Sequence, residues 1–211
     1  MKKKSNQKFK FLLAFFLLFN SANVLFAQEW LWLGPGQISC NAKYSNGVAF
    51  VNDSEGNFLV TGHFETKSIS FGQIILENKD TSGQTNDGFI AKFDKTGNVI
   101  WANSFGGNSY DQGNAICEDK NHNVFITGDF RSSKITIGNY TFSNSTIDEI
   151  DSDVFIAKYD SNGKLIWAKS GGGRKNDRGT EITVDSIGNT YFSGSLLSYS
   201  AKFDKVVYSN P

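Results

Sequence analysis

From residue 47 onward, apolar and polar side chains alternate in short runs broken by turn residues. In Phe58–Phe64, Phe58, Val60 and Gly62 fall on one side, with Leu59, Thr61 and His63 on the other. Both sides carry apolar groups, as expected of strands covered on both faces. After residue 27 no stretch keeps an i, i+3, i+4, i+7 apolar pattern for three helical turns. The pattern predicts an all-β chain in which helix is essentially absent.

The runs repeat. Residues 87–113 and 153–179 are identical at 15 of 27 positions without a gap, at an offset of 66. The segments beginning GVAFVND at 47, GNAICED at 113 and GTEITVD at 179 keep the same step. A fixed period of this size marks stacked copies of one supersecondary unit. Each unit reads as four strands: A (about 47–53, 113–119, 179–185), B (57–64, 123–130, 189–196), C (87–94, 153–160) and D (98–104, 164–170). A variable segment containing Ile69-Ser70-Phe71 or Ile135-Thr136-Ile137 separates B from C. Links starting at Asp53, Asp94, Asp119, Asp160 and Asp185 join A to B and C to D. Their side chains can bond the backbone two residues on, so each is a turn with a mechanism. His122 stands where the other A–B links have Gly56 and Gly188, which predicts a left-handed conformation that His tolerates better than most residues. Four antiparallel strands per repeat, stacked around an axis, make a propeller blade.

Composition supports this reading: 19 Phe, 7 Tyr and 4 Trp stand against one Met and two Pro, with 21 Gly for turns. The N-terminus differs. Lys2, Lys3, Lys4, Lys8 and Lys10 precede an apolar run from Phe11 to Phe19, and Ala27 offers a small residue at a cleavage point. That order predicts a signal peptide over 1–27. Asn20, Ser21 and Asn23 interrupt the run short of the ~20 apolar residues of an uncleaved anchor. The whole chain balances 21 basic and 21 acidic residues; without 1–27 it keeps 16 against 21. That mildly acidic balance argues against nucleic acid and anionic membrane as partners. Cys40 and Cys117 are too few for a disulfide framework, and Cys117 reads as a small core residue in the slot of Val51 and Thr183.

The run D-x-F-I-A-K-[FY]-D-x-x-G-x-[VL]-I-W-A-x-S-x-G-G, followed by D-x-x-G-N-x-[FY]-x-[ST]-G, resembles the SBBP repeat, a bacterial secreted β-propeller family frequent in Bacteroidetes. The resemblance covers nearly all of residues 30–208. It implies extracellular or surface placement, often in large proteins ending in a type IX secretion sorting domain, a domain without a counterpart in this sequence. Residues 28–211 are therefore expected to form a partial β-propeller of about three four-stranded antiparallel blades, with units starting near 47, 113 and 179 and the ring incomplete. Glu29–Leu33 resembles a lone strand D, and strand C of the third unit would begin near residue 219. The inventory favours a fragment of a larger protein over a short protomer that closes a ring by association, so further blades are expected in cis or in a partner chain.

Candidate chemistry is sparse. Asp119-Lys-Asn121-His-Asn123 has the D-x-N-x-N start of a calcium loop but lacks the later Gly and Glu. Its repeat equivalents are hairpin turns. Gly171-Gly-Gly-Arg-Lys175 lacks phosphate-loop spacing and reads as an interblade linker. Asp111 and Asp177, with Ser45 in the same slot, are expected to cap the D-to-A crossing; the sharper reading is a polar ring at a propeller mouth. Trp101 and Trp167, with Trp32 as the third member, suit interblade packing better than a sugar platform. His63 shares its slot with Asp129 and Ser195, which suggests a solvated strand end. No catalytic residue, cofactor site or metal site is singled out. The expected activity is non-catalytic binding of a protein or glycan at the cell surface, with no membrane insertion after signal cleavage. Recognition would sit in loops that differ between units, such as Asn41–Ser45 against Gly107–Asp111. The alternative is part of a carbohydrate-active propeller enzyme whose catalytic carboxylates lie outside this chain.

Overall fold

The computed structural model describes residues 38–40, 45–146 and 150–209. The segments expected to be a signal peptide and a Glu29–Leu33 strand, and Trp32, lie outside them. In chain order the strands are β1 (Ile38–Cys40), then β2 (Ser45–Asn52), β3 (Phe58–Phe64), β4 (Ser68–Phe71), β5 (Ile74–Glu77), β6 (Asp87–Phe93) and β7 (Val99–Gly106) in the first unit. The second unit supplies β8 (Asp111–Glu118), β9 (Val124–Phe130), β10 (Lys134–Ile137), β11 (Tyr140–Ser143), β12 (Asp153–Tyr159) and β13 (Leu165–Gly173). The third supplies β14 (Asp177–Val184), β15 (Thr190–Leu196), β16 (Ser200–Phe203) and β17 (Val206–Ser209). All pairing is antiparallel, and the described residues contain no helix. The chain is all-β, with the β-propeller-like arrangement of successive sheets that the repeat predicts.

Strands A to D appear as β2-β3-β6-β7 and β8-β9-β12-β13, each within three residues of its expected bounds. Strand A begins earlier than expected, at Asp111 and Asp177, which puts both carboxylates inside the sheet. A bulge recurs at the same slot, between Gly47/Ala49, Gly113/Ala115 and Gly179/Glu181. All five Asp links close as drawn: in each, Oδ1 accepts from the amides two and four residues on, as at Asp119 from Asn121 (2.8 Å) and Asn123 (2.9 Å). His122 has φ 61°, in the positive-φ region also held by Gly56 (84°) and Gly188 (94°) in its slot.

Sheet width departs from the four-stranded expectation. The variable segment folds into a hairpin that leaves its own unit: β10–β11 pairs with β7 of the first unit, and β16–β17 with β13 of the second. Each complete sheet therefore has six strands. The reason is burial. Ile135 and Ile137 are fully buried against the preceding sheet, a cover that one two-stranded hairpin could not find alone in water. By the same rule β4–β5 pairs with β1, which takes the place of a strand D before the first unit.

The core lies between successive sheets. Leu59, Ile90, Trp101 and Phe105 of the first unit meet Ile126, Phe130, Phe155 and Tyr159 of the second. Ala115 and Phe125 of the second meet Ile182 of the third, with Trp167 packed against them. Trp101 settles into interblade packing: it is buried, stacks on Tyr159 at 6.5 Å, and its Nε1 donates to the Ser161 carbonyl at 3.0 Å. A Cβ on Gly163 would lie 2.5 Å from that indole, so the next unit's C–D turn needs glycine there. Covering decides exposure. Phe125 on β9 is 1% exposed, whereas its counterpart Tyr191 on β15, which pairs only with β14 among the described residues, is 54% exposed.

Candidate functional site

Two sets of polar residues meet where the units join. The first set repeats. Asp111 and Asp177 are wholly buried. Asp111 accepts from the Ser132 amide (3.2 Å) and hydroxyl (2.6 Å), and Asp177 from those of Ser198 (3.1 and 2.7 Å). Their own amides donate to Asn86 and Ser152 of the preceding unit. This clamp orders the D-to-A crossing, as the capping reading requires. Burial pushes the Asp111 carboxyl up to about 7, against the Ser132 donors and with the charge of Asp87 adding to the rise.

Asp87 and Asp153, which open strand C, are equally buried. Asp87 Oδ2 accepts from the Lys79 amide and Asp153 Oδ2 from the Ser145 amide and hydroxyl, each at 2.8 Å. The Oδ1 atom of both finds no donor. Burial raises Asp87 to about 7 and Asp153 to about 6. The glycines at the end of strand D make room for them: a Cβ on Gly106 would lie 2.1 Å from Asp87 Oδ1, and one on Gly172 2.2 Å from Asp153 Oδ1. Gly171–Gly173 is thus the paired end of β13 rather than a linker.

The motif Lys pairs within each unit. Lys92 Nζ lies 2.9 Å from Asp53 and Lys158 Nζ 3.7 Å from Asp119, both carboxylates being the A–B turn aspartates. Burial opposes ionisation of Asp53, but Lys92 and Asn57 outweigh it and hold the group at about 2. Asp119 is therefore turn and ion pair together. Cys117 is a free, half-buried thiol that burial pushes up to about 11.

The second set varies between units and lines a cavity of about 160 Å³ where β8 and β14 begin and β9 ends. Beside Asp111 its walls are Asn86, Tyr110, Gln112, Asp129, Arg131 and Arg178. One unit on, the slots of Tyr110, Gln112, Asp129 and Arg131 hold Asn176, Arg178, Ser195 and Leu197, although the backbone bond Arg131 N–H to Tyr110 O recurs as Leu197 N–H to Asn176 O. Three donors converge on Asp129 Oδ1: Asn114 Nδ2 (2.7 Å), Arg178 Nε (3.1 Å) and Gln112 Nε2 (3.3 Å). None of them reaches Oδ2. Among the described residues, no acid lies within ion-pair distance of Arg131.

The solvated-end reading of this slot is corrected. Asp129 is buried, and His63 in the same slot is half-buried with its Nδ1 enclosed and unpartnered, because the next unit's strand A covers both. Burial lowers the His63 pKa, with the Asp129 charge working the other way. Arg131 and Arg178 escaped sequence reasoning, being brought together only by unit stacking. Their signal was available: adjacent slots that change while their neighbours repeat.

No protein-family profile matches the chain. The chain is similar to a WD repeat-containing protein of Acanthamoeba polyphaga mimivirus, with 29% identity over 126 residues. The match takes in 56% of this chain, and the chain spans 9% of that protein's length. WD repeats build four-stranded propeller blades, so the similarity is of the β-propeller-like repeat kind that the sheets display.

Proposed function

We propose that the chain is an exported, non-catalytic binding or scaffolding module, part of a larger propeller of the SBBP kind that acts at the cell surface or outside the cell. The observation that carries this is the division of labour at the unit junction. Residues that repeat hold the sheets together, and residues that vary line the polar cavity between Tyr110 and Arg178. A rigid repeated frame with variable concave walls is how recognition proteins are built.

Further blades belong to the same reading. On β9, Phe125, Ile126 and Phe130 are buried because β12 pairs with it in full register. The matching Tyr191, Phe192 and Leu196 of β15 are open, at 54%, 38% and 37% exposure. A strand C of the D-x-F-I-A-K type would cover them in the same register. The Trp167 indole would then take its place over the next C–D turn, as Trp101 does.

The test is a glycan and protein array probed with purified chain, run beside turnover assays on the polysaccharides that bind. Specific capture without turnover supports the reading. Turnover by this chain overturns it in favour of a carbohydrate-active enzyme.

A further inference from the structure

The cavity's chemistry narrows the ligand, an inference that rests on the binding reading above. Its walls offer four kinds of group at once. Tyr110 presents a ring 45% exposed at the rim, and its hydroxyl donates to the Gln84 carbonyl at 3.3 Å. An aromatic face tethered at its polar end suits stacking against the C–H face of a sugar. Asn86 and Gln112 supply amides, which both donate and accept. Asp129 keeps Oδ2 clear of the three donors gathered on Oδ1, and so can accept from a ligand hydroxyl.

The charge is what selects within sugars. Arg178 spends its Nε on Asp129, which balances one guanidinium. Arg131 has no acid within ion-pair distance among the described residues, and the Asp111 carboxyl that shares the wall is engaged by the Ser132 amide and hydroxyl, which leaves the Arg131 guanidinium for a ligand anion. A guanidinium without a partner beside a small polar cavity is matched by a planar carboxylate, which it can bind through two parallel hydrogen bonds. At about 160 Å³ the space is well below the ~300–1,000 Å³ of sites for drug-sized ligands, which limits the occupant to about one ring. An acidic peptide would use the arginine but leave the amides, Asp129 Oδ2 and the Tyr110 face without matching groups.

We propose that this cavity binds one uronate residue of an acidic polysaccharide, with its carboxylate on Arg131, a ring hydroxyl on Asp129 Oδ2 and its ring face on Tyr110. The equivalent junction one unit earlier has Glu65 in the Arg131 slot, so the site belongs to this junction alone among the described ones.

Isothermal titration of the full chain with oligogalacturonate, with its methyl ester and with hexaglutamate tests the idea. The acid form is expected to bind, and esterification or Arg131→Leu to weaken it about tenfold or more, the loss of one charge-assisted pair. Leu already fills this slot as Leu197, so the variant should keep the parent's melting temperature. Equal binding of ester and acid, an unaffected Arg131→Leu variant, or hexaglutamate binding as tightly as the sugar would each overturn the uronate assignment. These results leave the array to judge the wider reading: capture of other ligands there means that only the ligand class was wrong, and an empty array means that both are.

Discussion

Replacing Asp87 by Asn should make the protein more stable at pH 8 and leave it unchanged at pH 4. The Asp87 carboxyl is wholly enclosed, with Oδ1 lacking a donor, and burial pushes it up to about 7 from an ordinary 3.8. Against burial, the Lys79 amide and charge and the Gly107 amide lower it; Asp80 raises it, and its own charge raises Asp111 in turn. Between pH 3.8 and 7 the folded chain holds a proton that the unfolded chain has released. Stability is therefore fully present below about 4 and is lost as pH climbs through 7. Each tenfold step in proton affinity is worth about 1.4 kcal/mol, which bounds one such carboxyl at roughly 4 kcal/mol. Because the Asp87 charge also raises Asp111, the two costs are not additive, and about 2–4 kcal/mol is expected for the junction rather than twice that. In the Asn variant the side-chain oxygen can still accept from the Lys79 amide, while the new NH₂ group stands where Oδ1 had no partner. Urea denaturation followed by tryptophan fluorescence, from pH 4 to 9, measures the effect. A wild-type stability that is flat between pH 5 and 8, or a variant weaker than wild type at pH 8, would refute the reasoning.

Trp101→Phe should cost about 1–3 kcal/mol in the same denaturation assay, since it removes the bond to Ser161 and part of the contact with Tyr159. Trp167→Phe should cost less, because no C–D turn lies over the half-buried Trp167 among the described residues. His122→Gly should stabilise by about 0.5–1 kcal/mol, since φ 61° suits glycine, with the 3.3 Å contact to Glu118 the only visible loss. A thermal melt of the two proteins checks the sign.

What could be read from the sequence were features written into neighbouring residues. Alternation gave the strands of each unit, and Asp followed by Gly, Asn or His gave the turns, down to the left-handed backbone of His122. The exchange of hairpins between units was not legible. β10 and β11 are four-residue strands whose partner, β7, is chosen by what they bury. Their Gly138, and its counterparts Gly72 and Asp204 at φ 56° and 53°, did mark two-residue turns that could have been recognised. The burial of Asp87 and Asp111 was hidden for another reason. A charged residue normally signals surface, and here the shielding comes from adjacent units whose residues, like Asp87 and Asp111, lie 24 or more apart in sequence. Arg178 and Asp129, 49 residues apart, meet for the same reason.

The interlocking explains why the cavity is free to vary. Among the ties between successive units are a hairpin donated backward, Trp101 over the next C–D turn, the Asp111 amide on the Asn86 carbonyl, and Gly113 pressed against Thr61. The last contact admits no side chain, since a Cβ on Gly113 would lie 2.1 Å from Thr61 Oγ1, and Gly179 meets Thr127 at the same distance. Each Thr hydroxyl in turn donates to a strand C carbonyl, Phe89 or Phe155. In a stacked array, stability is close to a sum of unit terms and nearest-neighbour terms. None of these four ties uses Tyr110, Arg131 or the Arg178 guanidinium. Substitution at those slots costs the junctions only the Tyr110–Gln84 bond and the half-exposed Arg178–Asp129 pair, which is what lets Leu197 and Asn176 stand in the Arg131 and Tyr110 slots one unit later with the same backbone bond. The cavity wall in such a chain can change one junction at a time, without the fold having to be re-stabilised at each change.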